Sequence, residues 1–128
     1  MNKHLFNTIV AGVGSMLTYL FGGWDTCLIV LVIFMALDYI TGLVSAYLQC
    51  KLNSKIGYKG IAKKASILVV LVVAVLLDRL LNSGIWVFRT LVCYFYIANE
   101  GISILENCGK CGLPLPEKLT KALEQLKK

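Results

Sequence analysis

The sequence has almost none of the equipment that bond chemistry needs. It holds one histidine, His4, close to the N-terminus, so no Ser/His/Asp nucleophile set can be built from it. Gly57-Tyr58-Lys59-Gly60 lacks the strand and helix that would make it a phosphate cradle. Cys108-x-x-Cys111 is the one metal-like spacing, and structural zinc needs two further ligands that its surroundings do not offer. The five cysteines, Cys27, Cys50, Cys93, Cys108 and Cys111, do not read as a secreted disulfide framework. Three of them lie in or beside apolar runs, where cysteine behaves as a small hydrophobe. No enzyme activity, no cofactor and no metal are expected.

Polar surface is scarce as well. Of 128 residues, 58% are hydrophobic, against about 45–50% in an ordinary soluble domain, and the mean hydropathy is +0.75. Too little polar surface remains to cover a soluble core. The apolar residues are gathered in long runs, the mark of an all-α membrane protein. The net charge is +6, but the lysines cluster beside apolar runs. That is how topology signals look, so nucleic acid is not expected as a partner. Lys3 and the run after it imitate a secretory signal, yet no small-x-small cleavage site follows before Gly22-Gly23-Trp24. The segment is expected to be retained.

Four runs can cross a membrane, at residues 5–21, 27–48, 65–81 and 85–105, giving three to four transmembrane helices. The first is short and diluted by Asn7, Thr8, Gly12, Gly14, Ser15 and Thr18; it spans or lies partly in the interface. The second is the clearest, with one charge, Asp38, expected near mid-membrane. Asp38, Gly42, Ser45 and Gln49 recur at helical spacing and share a face, which leaves Leu28, Val32 and Met35 for lipid. Lys51, Lys55, Lys59, Lys63 and Lys64 follow with no acid among them and read as a basic loop, with turns at Gly57 and Gly60. The uncharged part of the third run is shorter than a bilayer, so Asp78 and Arg79 belong near a surface. In the fourth run, Arg89, Cys93, Tyr96, Glu100 and Ser103 share a face, with Asn99 beside it. Asp78 and Arg89 flank the Asn82-Ser83-Gly84 turn at similar distances, which predicts a side-chain ion pair. Residues 1–112 thus form a transmembrane helical domain. Residues 113–128 form a tail with a short amphipathic helix, opened by Pro116 and carrying Leu119, Leu123 and Leu126 on one face and Lys127-Lys128 at its end.

Lysine placement sets the expected orientation. Lys3, the five loop lysines and the five lysines of the tail fall on one side of four spans, which the positive-inside rule makes cytoplasmic. Charges at membrane depth are functional candidates by default. Asp38 is either a hydrogen-bonded packing residue or part of an aqueous path or subunit contact. Glu100 with Asn99 is either a polar helix end or part of the same stripe. Asp38, Gly42, Ser45, Arg89, Tyr96, Asn99 and Glu100 are therefore the candidate oligomer or pore face. The lysine segment is the candidate membrane-surface element.

Several motifs occur in an order that resembles the toxin-secretion/phage-lysis holins. They are Asp38-Tyr39-Ile40-Thr41-Gly42, Asn53-Ser54-Lys55, Gly57-x-x-Gly60-x-x-x-Lys64, Asn99-Glu100-x-x-Ser103-x-x-Glu106-Asn107 and Gly112-x-Pro114-x-Pro116. The resemblance runs from about Leu31 to Lys128; the tail cysteines lie outside the pattern. It implies a homo-oligomer of the bacterial cytoplasmic membrane, whose lesions release endolysin or a large toxin as indirect cargo. A small proton-coupled transporter and a non-conducting antiholin-like subunit are the competing readings.

Overall fold

The computed structural model describes residues 2 to 126, apart from the side chain of Leu123. These residues form five helices: α1 (Lys3–Phe21), α2 (Thr26–Leu48), α3 (Ser54–Leu81), α4 (Val87–Lys110) and α5 (Glu117–Leu126). α1, α2 and α3 are long and apolar enough to cross a membrane. α4 falls short of that apolarity, because Arg89, Asn99, Glu100 and Glu106 interrupt it. It compensates by position. α4 lies against α2 along much of its length and also touches α3 and α5, so protein rather than lipid covers Arg89 and Glu100, while Glu106 near its end is exposed.

The helix ends follow from local chemistry. Asn2, Asp25 and Asn53 each cap a helix by accepting a backbone N–H, from His4, Leu28 and Ile56 respectively. α1 stops at Gly22, whose φ of +80° gives the left-handed turn. That position tolerates nothing larger: a Cβ there would sit 2.7 Å from Arg89 Nε. α4 begins differently. Trp86 offers no side-chain cap, and Asp78 of α3 serves instead by accepting the backbone N–H groups of Phe88 and Arg89 at 3.0 and 2.8 Å.

Two expectations about the middle of the chain are corrected. The basic stretch is mostly helix, not loop: α3 starts at Ser54, so Lys55, Lys59, Lys63 and Lys64 lie in its first three turns. Gly57 and Gly60 make no turns. They face Tyr39 of α2, and a Cβ on Gly60 would stand 3.0 Å from its ring. Glycine is needed there for close helix approach, and the lysines propagate the helix because lysine is a good helix former. The inward face of α2 also differs. Leu28, Leu31 and Met35 are buried with Ile67, Leu71 and Val75 of α3 and Cys93 and Ile97 of α4, so Leu28 and Met35 do not face lipid, whereas Val32 is exposed. The face of Asp38, Gly42 and Ser45, carried back from Asp38 at i−3, i−7 and i−10, passes through Met35, Leu31 and Leu28, so helical period itself places them inward, and assigning Leu28 and Met35 to lipid goes against it.

α1 contributes nothing buried and leans on α3. At the other end, α4 runs to Lys110 and closes through Gly112 at φ +93°. α5 then packs back on α4, and Leu126 comes beside Val70, Leu91 and Phe95. Lys127 and Lys128, expected at its end, lie outside the described residues.

Candidate functional site

The apolar core lies between two layers of charge. The first joins three helices. Lys64 Nζ of α3 donates to Asp38 Oδ2 of α2 at 2.7 Å and to Glu100 Oε1 and Oε2 of α4 at 3.0 and 2.9 Å. Asn107 completes it, its Nδ2 donating to the Asp38 carbonyl, to Asp38 Oδ1 and to Thr41 Oγ1. The Glu100 side chain is only 4% exposed, and those of Lys64 and Asp38 are 14% exposed. Two carboxylates share one ammonium, so the cluster carries an excess negative charge when all three groups are ionised. Clefts of about 190 and 290 Å³ open on its two sides, and Asp38 lines both.

The second layer ties helix ends together. Arg89 is 3% exposed. Its Nε donates to the Phe21 carbonyl at 2.7 Å and one Nη to the Gly23 carbonyl at 3.1 Å. Both Nη groups reach Asp25, at 2.9 and 3.0 Å. The guanidinium therefore holds the α1–α2 turn onto the start of α4, and its hydrogen bonds keep the Asp25 carboxyl below the ordinary carboxylate pKa. The expected Asp78–Arg89 side-chain pair is corrected here. Asp78 bonds to the backbone of Arg89, not to its guanidinium. Hairpin symmetry put the two at one level, but the open amides of an uncapped helix claimed the carboxylate.

The layers are 11 to 14 helical residues apart on α3 and α4 (Lys64 to Asp78, Glu100 back to Arg89). At about 1.5 Å per residue that is roughly 16–21 Å, less than the roughly 30 Å of a bilayer's hydrocarbon. At least one layer therefore lies at hydrocarbon depth, and burial inside the bundle is what makes that tolerable.

Of the candidate residues, Asp38, Gly42, Ser45 and Glu100 meet at the first layer or beside it. Ser45 is buried, and Gly42 lets Asn107 approach to 3.6 Å of where a Cβ would be. Arg89 belongs to the second layer. Tyr96 and Asn99 are half-exposed and border one cleft. Lys51, Lys55, Lys59 and Lys63 are exposed, while Lys64 is turned inward. The sequence reading missed the pairing of Lys64, the role of Asn107 and the Arg89–Asp25 bond. One signal for Lys64 was present. Asp38 stands 11 residues before Gln49 and Lys64 stands 11 after Asn53, the two ends of the connection, so they face each other across the α2–α3 hairpin.

The fold and site thus define a small all-helical membrane protein that buries Asp78, Arg89 and Glu100 between its own helices. The chain belongs to the bacteriophage holin family, whose model matches residues 15–128. An uncharacterized Clostridium acetobutylicum protein is 56% identical over 123 residues, covering 96% of this chain and 98% of that one. An uncharacterized 14.9 kDa protein of Clostridium perfringens is 56% identical over 117 residues, covering 91% and 89%. A probable holin of Bacillus phage phi105 is 35% identical over 106 residues, covering 82% and 76%. No solved structure matches.

Proposed function

We propose that copies of this protein gather in the bacterial cytoplasmic membrane, join into homo-oligomers and open lesions that let endolysin or a large toxin out. Family membership supports the class. The observation that carries the mechanism is the Lys64–Asp38–Glu100 cluster. Its three ions come from three helices and are held by side chains alone, so the same groups can exchange partners within one chain for partners on a neighbour. When they do, faces that hide charge inside a monomer become the wall of a wet path, with Asp38, Gly42, Ser45, Tyr96, Asn99 and Glu100 along it. Arg89 stays with the α1–α2 turn. The exposed lysines from Lys51 to Lys63 rest against the cytoplasmic leaflet, where each basic residue adds about 1 kcal/mol of attraction to anionic lipid. The N-terminus, this lysine segment and the start of the tail lie on the cytoplasmic side.

Controlled expression in a bacterial host tests this. A sudden loss of viability, with cytoplasmic proteins appearing in the medium, is the expected result. Continued growth with altered drug resistance would point to a proton-coupled transporter, and continued growth with no phenotype to an antiholin-like subunit. Asp38→Asn ties the result to the cluster: unchanged timing of lysis would remove Asp38 from the mechanism.

A further inference from the structure

The geometry points to a phospholipid-binding site between α1 and the end of α3, with Arg79 as the phosphate ligand. Arg79 contrasts with Arg89. Among the described residues no carboxylate lies within ion-pair distance of it, since the adjacent Asp78 is engaged with the start of α4. Its guanidinium stacks 4.0 Å from the Tyr19 ring and 5.3 Å from the Trp86 ring. One Nη donates to the Tyr19 carbonyl. Nε is buried and has no acceptor, the one such side-chain atom among the described residues. The second Nη has no acceptor among the described residues and, unlike Nε, is not buried, so a guanidinium set against two aromatic rings can donate to a phosphate without giving up the Tyr19 carbonyl.

Beside it lies a groove of about 690 Å³ lined by Val10, Ala11, Gly14, Ser15, Thr18 and Arg79. No residue of α1 is buried, so nothing of the protein fills this groove. From Thr18 to Val10 it descends roughly 12 Å along the helix, from the level of the aromatic residues toward the membrane interior. Tyr19, Trp24 and Trp86 at its mouth are the residue types that sit at headgroup depth. Gly22 and Gly23 leave the mouth without side chains. A cation at headgroup level above a narrow, weakly polar slot matches a phosphodiester above an acyl chain. Free phosphate would use the cation and leave the slot empty. An anionic phospholipid fits best, since no carboxylate neutralises Arg79.

The test uses the full chain in detergent, titrated with phosphatidylglycerol, with phosphatidylcholine and with inorganic phosphate. Native mass spectrometry counts bound lipid and thermal unfolding reports stabilisation. Phosphatidylglycerol is expected to bind at one site per chain and raise the melting temperature, and inorganic phosphate to do neither. Arg79→Gln should weaken phosphatidylglycerol about fivefold, the effect of one cation near an anionic surface. Ser15→Leu fills the slot at an exposed position, so folding is not at risk, and should weaken both lipids. Equal retention of phosphatidylglycerol by wild type, Arg79→Gln and Ser15→Leu overturns the proposal. So does stabilisation by inorganic phosphate alone, or a dimer that Ser15→Leu dissociates while lipid binding is unaffected. None of these readouts depends on whether the protein opens lesions.

Discussion

The two charged layers use the same residue types in opposite ways. Around Lys64, every strong bond joins side chains that project from the middle of helices. Around Arg89 and Asp78, most partners are backbone groups at helix ends: the Phe21 and Gly23 carbonyls and the amides of Phe88 and Arg89. A backbone end has nowhere else to go, because an open amide or carbonyl in an apolar setting costs free energy until something satisfies it. A side-chain ion can turn to any partner of the right charge. The Arg89 layer is therefore a fixed joint, and the Lys64 layer is the one that can be remade.

The largest test of that contrast is Lys64→Met. It strands two carboxylates against each other inside the bundle and should destabilise the chain by about 3–5 kcal/mol, the usual effect of breaking a buried pair from one side. The triple change Asp38→Asn, Lys64→Met, Glu100→Gln removes all three charges and should recover most of that loss. Thermal unfolding in detergent, followed by tryptophan fluorescence, measures both. If the triple variant is no more stable than Lys64→Met, the layer is not a self-contained ionic unit.

Next in size is Arg89→Met. It frees the Phe21 and Gly23 carbonyls, but Asp25 is half-exposed and can turn to water, so a loss of about 2 kcal/mol is expected. Asp78→Ala should cost about 1–2 kcal/mol, as the loss of a helix cap does. The charge swap Asp78→Arg with Arg89→Asp should do worse than either single change, because no side-chain pair exists to be restored; a rescued melting temperature would refute the capping role.

The smallest effect is on pH. Arg89 holds the folded-state pKa of Asp25 below its unfolded value. A depressed carboxylate stabilises the fold above its unfolded pKa and loses that contribution as pH falls through the folded one. The α1–α2 turn should therefore loosen below about pH 4, seen as a change in Trp24 emission. Asp25→Asn should abolish that step while leaving the Lys64 layer intact.

Much of this was legible in the sequence. The five helices could be read from apolar runs, Gly-Gly and Asn-Ser-Gly breaks and the proline turn, because a chain that enters lipid must satisfy its backbone helix by helix. Asp38, Arg89 and Glu100 stood out as charges inside apolar runs. The start of α3 was hidden because lysines signal a membrane surface and a helix equally well, and only the packing of Gly57 and Gly60 on Tyr39 distinguishes the two.

What the sequence determined alone was the class of molecule: the number of long helices and the stripes of polar residues. These depend on composition and on the 3.6-residue period, which are local. What tertiary structure decided was who meets whom. Lys64 turned inward to Asp38 and Glu100, Asp78 went to a helix end, and Arg89 crossed to the α1–α2 turn. Those choices depend on distances between helices, and on the rule that each buried donor and acceptor must find a partner within a few ångströms. The spacing of charges along one chain does not contain that information.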